Sequence, residues 1–156
     1  HEMDARGANA ASWCAAGGAA TLWSYGIDPG LVLDGSMPRR KKQQLIDSHI
    51  PDEHRSFLRQ LPVLIETPDW LFVHAGRRRD AALKDQRDSD LTETRPAADM
   101  GYEGLGRVVV HGHTPVQKPE RRPYRTNVDT GSVYGGALTA AVIDGRAITF
   151  LSVPTS

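Results

Sequence analysis

Two short apolar runs, Trp70-Leu71-Phe72-Val73 and Val108-Val109-Val110, each run straight into a histidine followed closely by glycine: His74-Ala75-Gly76 in one, His111-Gly112-His113 in the other. A run of this kind reads as a buried strand, and strand ends that meet at one edge of a sheet are where ligand sites form. Imidazole is a common ligand of first-row metals. A glycine beside it lets the backbone turn sharply and approach the ion or its anion. His74 and His113 can therefore converge on one cation although 39 residues separate them. The competing reading is that each is a hydrogen-bonded loop histidine with no ligand.

The surrounding pattern mixes helices and strands, helices early and strands late. Asn9–Gly26 holds helix formers interrupted by Gly17-Gly18 and stopped at Gly26. Met37–Ile50 fits a short, charged helix. Another is expected after Pro51, which suits a first helical position, with Asp52 and Glu53 in the first turn. His54, Phe57, Leu58 and Leu61 then fall on one face. Beyond Pro62 the pattern turns to short strands: Trp70–Gly76, Arg107–His113, Tyr124–Ser132, Ala137–Asp144 and Ala147–Val153. The last two are joined at Asp144-Gly145-Arg146 as a hairpin. The polar stretch from Arg77 to Gly106 is either an excursion over an active site or a disordered loop.

A chain of 156 residues, 39% of them hydrophobic, has room for one domain with a real core. Its 19 basic and 19 acidic residues balance, which gives no support for general attraction to nucleic acid or an anionic membrane. The basic clusters Arg39-Arg40-Lys41-Lys42 and Arg77-Arg78-Arg79 are solvated faces or anion sites. A single cysteine, Cys14, forms no internal disulfide, so a cytoplasmic location is expected. No window has the uncharged length of a membrane span.

A polar turn, Asn127-Val128-Asp129-Thr130-Gly131, separates two of the late strands. Asx and glycine dominate turns. Asp129 is therefore a turn former, or a carboxylate whose hydrogen bond orients a ligand histidine.

Taken together, Phe72-Val73-His74-Ala75-Gly76, Val108 to Val116 and Asn127 to Ile143 resemble the C-terminal half of a bacterial metallophosphoesterase of the phosphoprotein (serine/threonine) phosphatase family. His1-Glu2 match the last two residues of that family's Gly-Asn-His-Glu motif. The resemblance implies a four-layer α/β/β/α sandwich with mixed sheets, an α/β fold, of which residues 1–156 form a single calcineurin-like domain. It implies a dinuclear divalent metal centre, manganese first with iron or zinc as alternatives, and no organic cofactor. His74 and His113 match ligands of the second metal, and His1 matches the proton donor to the leaving alcohol. Arg95 matches the phosphate-holding arginine, with Arg77 to Arg79 as competitors, and His111 resembles a residue that supports the ligands.

Such a site hydrolyses phosphomonoesters: two cations about 3.5–4 Å apart neutralise phosphoryl oxygens and acidify a bridging water. A guanidinium clamps the other oxygens, and a protonated histidine supplies the leaving group with its proton. The expected activity is serine/threonine-phosphatase-like, on a phosphorylated protein or a small phosphoester. The alternatives are a nucleotide phosphohydrolase of the diadenosine-tetraphosphate type and a truncated, non-catalytic interaction domain. The family's Gly-Asp-x-His-Gly and Gly-Asp-x-x-Asp-Arg-Gly motifs are absent from this sequence. This chain alone is accordingly expected to be weakly active or inactive, and to associate with a second copy or a complementary N-terminal chain.

Overall fold

A computed structural model describes residues 7–95, 102 and 104–155. Residue contacts divide the chain into two compact units, His1–Leu61 and Pro62–Ser156.

The first unit is helical. Helix α1 (Gly7–Trp13) passes through a wider turn at Cys14–Gly18 into α2 (Ala19–Ser24). The interruption expected at the glycine pair lies at Gly17, whose φ of 110° breaks the helical path. Gly18 is itself helical, and its missing Cβ, which would lie 2.3 Å from the Trp13 ring, makes room for that ring. Helix α2 ends on Gly26 (φ 75°), where Gly26 N–H donates to Trp23 O and Ile27 N–H to Leu22 O, both at 2.9 Å. That paired bonding caps the helix and folds Ile27 back onto Leu22, its partner in the core. Helix α3 (Pro29–Leu33) is capped by the Asp28 carboxylate, which accepts from Gly30 N–H at 2.8 Å.

Helix α4 (Arg39–His49) contributes Ile46 to a core with Cys14, Leu22, Ile27 and Ile50. Helix α5 spans Asp52–Gln60, so Pro51 stands at its N-cap, one position earlier than the sequence suggests. Arg55 bridges Asp47 of α4 and Asp52 of α5. The apolar face of α5 forms as its spacing predicts but stays in water: Phe57 is 64% and Leu58 60% exposed.

The second unit is built on a five-stranded sheet of order β1-β2-β3-β5-β4. Its strands are β1 (Leu64–Glu66), β2 (Trp70–Val73), β3 (Val108–His111), β4 (Glu120–Arg122) and β5 (Arg125–Asn127). Strands β2, β3 and β5 are parallel, and β1 and β4 flank them antiparallel. The sheet is mixed, as expected. Strands β6 (Leu138–Asp144) and β7 (Ala147–Val153) form a separate hairpin. Gly145 opens its loop at φ 55°, the left-handed backbone that tight hairpins need.

Alternation along β2 and β3 sends side chains to two cores. Leu71, Val73 and Val109 pack with Leu91 and Tyr102 of the long polar excursion. Trp70 and Val110 pack with Ile148 and the inner face of the hairpin. The Trp70 indole N–H also donates to Gly145 O at 2.7 Å, tying the hairpin loop to the sheet.

The excursion is ordered over its described part. It forms a 3₁₀ turn at Leu83–Asp85 and helix α6 (Asp88–Glu93), whose Asp90 carboxylate accepts from Arg87 N–H at 2.9 Å. Among the described residues no helix is long and apolar enough to cross a membrane.

Candidate metal centre

The three parallel strands run the same way, so their carboxyl ends share one edge of the sheet, the usual place for a ligand crevice in such sheets. Val73 ends β2 and delivers His74. His111 ends β3 and delivers Gly112 and His113. Asn127, opposite His111, ends β5 and delivers Asp129.

The loops at this edge are fastened to one another. Gly112 N–H donates to His74 O at 2.8 Å, continuing the β2–β3 ladder past its last pair. Asn127 Nδ2 donates to Thr114 O at 2.8 Å, and Val116 N–H donates to Asp129 O at 2.9 Å. Helix α6 is joined on as well, because Ala75 N–H donates to Leu91 O at 2.9 Å. A Cβ on Gly112 would meet Asp129 Cβ at 3.3 Å and His74 O at 3.8 Å, so this glycine makes room for both neighbouring loops.

His113 has φ 65°, and Thr114 N–H donates to Gly112 O at 2.8 Å across it. It is the centre of a positive-φ γ-turn, a rare and strained conformation. Strain of this kind costs about 1–3 kcal/mol and clusters at functional sites. The turn brings the His113 ring to the His74 ring, with centroids 5.1 Å apart in a T-shaped arrangement. Among the described residues, neither ring is hydrogen-bonded. Burial is the main influence holding the His113 pKa below its ordinary value. The His74 and Arg95 side chains push the same way, while Asp129 and Glu93 oppose them. A depressed pKa keeps the ring neutral, the form in which imidazole binds a metal.

The remaining candidates fall in different places. Arg95 is exposed, two residues beyond α6, with its charge acting on His113. His111 is 2% exposed. Its Nδ1 lies 3.2 Å from Gly112 O, an acceptor, so Nδ1 carries the proton and the buried Nε2 is left without a partner. Burial lowers its pKa too. Asp129 Oδ1 accepts from Gly131 N–H at 3.0 Å, and Asp129 N–H donates to Asn127 Oδ1 at 3.0 Å. These bonds are turn chemistry, and its charge reaches His113 only through space. Arg77 is buried, donates to Ala81 O at 3.3 Å and lies over the Tyr102 ring, 5.8 Å from its centroid. His1 lies outside the described residues.

Sequence reasoning missed Asn127 Nδ2 and Leu91 O as the atoms that hold the site's loops, and Glu93 as a charge facing His113. Only the first had a visible signal, an asparagine at a strand end.

Two imidazoles are of the right donor type for a divalent transition metal, but they are two. Among the described residues no group of three or more His, Cys, Asp or Glu converges, and a catalytic metal ordinarily has at least three protein ligands. The described residues fit half a metal site.

With histidines at the carboxyl edge of a mixed sheet, the fold is metallophosphoesterase-like. It is similar to the solved structure "Crystal structure of a putative diadenosine tetraphosphatase", with a TM-score of 0.56 and 26% identity over 72% of this chain and 61% of that one. In sequence, the chain is similar to "Bis(5'-nucleosyl)-tetraphosphatase PrpE [asymmetrical]" of Bacillus anthracis (strain CDC 684 / NRRL 3495), 27% identical over 131 residues, 75% of this chain and 52% of that protein. The protein of the same name from Geobacillus sp. (strain WCH70) is 36% identical over 101 residues, 55% of this chain and 40% of that one. The chain thus spans about half the length of the Bacillus relative, 52%. No protein-family model matches it. These relatives are named as bis(5'-nucleosyl)-tetraphosphatase or diadenosine tetraphosphatase, and none of the three is named as a serine/threonine phosphatase.

Proposed function

We infer that the chain is part of a metal-dependent phosphohydrolase of the metallophosphoesterase kind, and that its substrate is a dinucleoside polyphosphate of the diadenosine-tetraphosphate class. The observation that carries the hydrolase reading is the meeting of His74 and His113 at the carboxyl edge of the sheet, 5.1 Å apart between ring centroids. The choice of substrate leans on the relatives' names.

His74 and His113 would hold a divalent metal, which when bound supplies electrophilic charge for phosphoryl oxygens and acidifies a water. The chain's own groups do the rest. The turn at His113 and the Asn127–Thr114 bond hold the loops that carry the imidazoles. Asp129 and Glu93 place negative charge toward His113 and so favour a cation beside it. Arg95, exposed and on the same side, is the guanidinium that would contact a phosphate oxygen. His1, outside the described residues, is proposed as the proton donor on the resemblance of His1-Glu2 alone.

The second reading, a phosphomonoesterase acting on phosphoserine or phosphothreonine, rests on the form of the His111-to-Val116 and Asp129-to-Gly136 stretches. One assay separates the two. Diadenosine tetraphosphate, p-nitrophenyl phosphate and a phosphothreonine peptide are offered with and without manganese, to this chain and to a version extended upstream to the relatives' length. Preference for the dinucleotide, in the extended form, is the expected result. Equal or better turnover of the phosphopeptide would shift the assignment to the second reading. No metal-dependent turnover of any substrate by either form would leave an interaction domain.

A further inference from the structure

At the opposite edge of the same sheet, where the parallel strands begin, the surface is concave. A cavity of about 650 Å³ lies there, lined by Arg107, Arg121, Arg122 and Arg146 together with Asp69 and Tyr124. That volume is in the range of small-molecule sites. From Trp70 to His74 there are four residue steps, so at roughly 3.3 Å per residue the cavity is about 13 Å from the histidine edge.

Three separate stretches of chain supply the guanidinium groups: the entry to β3, the end of β4 before its tight turn at Pro123-Tyr124, and the loop of the β6–β7 hairpin. Nearby carboxylates do not match them. Arg146 Nε bonds Asp69 Oδ1 at 2.6 Å, and Arg107 pairs with Glu66. Arg122 Nε is 3.4 Å from Glu120 Oε2, an oxygen that also faces Arg125 NH2 at 3.7 Å. Among the described residues nothing pairs with Arg121. A guanidinium has five N–H donors, and these contacts use one or two on each. The Arg122 and Arg146 side chains are 47% and 83% exposed, so their remaining donors are open to a ligand. Beside them lies Tyr124, a residue 42% exposed.

We propose that this cavity is a second, separate binding site for a small polyanion carrying a chain of phosphoryl groups, free or linked to a nucleoside. Four guanidiniums against the carboxylates of Asp69, Glu66 and Glu120 leave the concavity a net positive charge that a bound anion would neutralise. Their forked donors match the geometry of phosphate oxygens. A nucleoside-linked ligand would in addition lay its base against Tyr124.

The test is calorimetric titration of the whole chain in EDTA, with tripolyphosphate, ATP and a short single-stranded DNA as probes. Both phosphate probes should show one saturable site, retained in His113→Asn. The Arg121→Gln/Arg122→Gln pair should weaken each by about tenfold or more, and Arg146→Gln should weaken them as well. Arg40→Gln/Lys41→Gln, which removes equal charge from α4, should change neither. Tyr124→Ser separates the ligand sources. Loss for ATP alone supports a nucleoside-linked ligand, and no loss for either supports a free oligophosphate. The proposal falls if neither probe saturates, if Arg40→Gln/Lys41→Gln weakens binding as much as the β4 pair, or if DNA binds more tightly than ATP. The first of those outcomes would leave Arg121 and Arg122 as charges that keep an edge strand from pairing with other chains.

Discussion

At the scale of single residues, His113 carries the most weight, because its side chain and its backbone make separate demands. The side chain offers a neutral imidazole to His74, while the backbone holds φ 65°. Alanine therefore tests both at once and confounds them. Asparagine tolerates the left-handed region and removes only the imidazole. In an active, extended form, His113→Asn should lose metal-dependent turnover by more than the roughly 10–100-fold typical of residues that merely support ligands. Its urea midpoint should stay near the parent value. Full activity would remove His113 from the ligand set.

His111 makes a different prediction. Burial holds its pKa below the ordinary 6.5. In the unfolded chain it protonates first as the pH falls, so the unfolded state binds more protons over that interval. Its contribution to stability is complete above about pH 6.5, shrinks as the pH drops toward the lower folded pKa, and stops changing below it. Urea melts between about pH 7.5 and 5.5 should show this decline, with a shallower slope in His111→Leu. Identical slopes would mean the ring is not held neutral by the fold.

Among the elements, the loop from Asn127 to Gly136 joins the sheet to the hairpin and places Asp129 beside Gly112. Its shape depends on Gly136, where a Cβ would sit 2.0 Å from Thr130 O, a backbone atom with little room to move. The Thr130 hydroxyl meanwhile bonds Ala137 O and the Thr139 hydroxyl. Gly136→Ala should therefore cost about 3 kcal/mol, the upper end for overpacking, and displace both β6 and the Asp129 turn. Equilibrium unfolding would measure the first effect, and a shifted His113 ring resonance the second. The pattern Tyr124–Ser132 predicted a strand but could not show that β4 turns back on it to form the cavity wall. The excursion from Arg77 was ambiguous for a related reason. Its polar composition resembles a loop, yet Leu91 and Tyr102 are buried against β2 and β3. Two well-placed apolar side chains anchor its described residues to the sheet, and composition averages them away.

For the molecule as a whole, each unit leaves apolar surface in water. Phe57 and Leu58 on α5, with Leu61 just after it, belong to one unit, and Leu138, Val142, Leu151 and Val153 on the outer face of the hairpin to the other. Exposed apolar sheet and helix faces mark surfaces that associate. The isolated chain should elute from size-exclusion chromatography, with multi-angle scattering, at a mass above the 17.1 kDa of one copy. A monodisperse monomer would count against that.

What the sequence determined alone was local: the helix stops at Gly17-Gly18 and Gly26, the mixed run of strands, the hairpin at Gly145, and histidines carried at two strand ends. Each depends on chemistry within a few residues, where φ preference and apolar spacing decide the outcome. The tertiary structure decided what meets what. Parallel pairing of β2, β3 and β5 set His74, His113 and Asp129 on one edge and gathered Arg107, Arg121, Arg122 and Arg146 near the other. Strand order and direction are settled by packing among distant segments, and no short window of sequence contains that information.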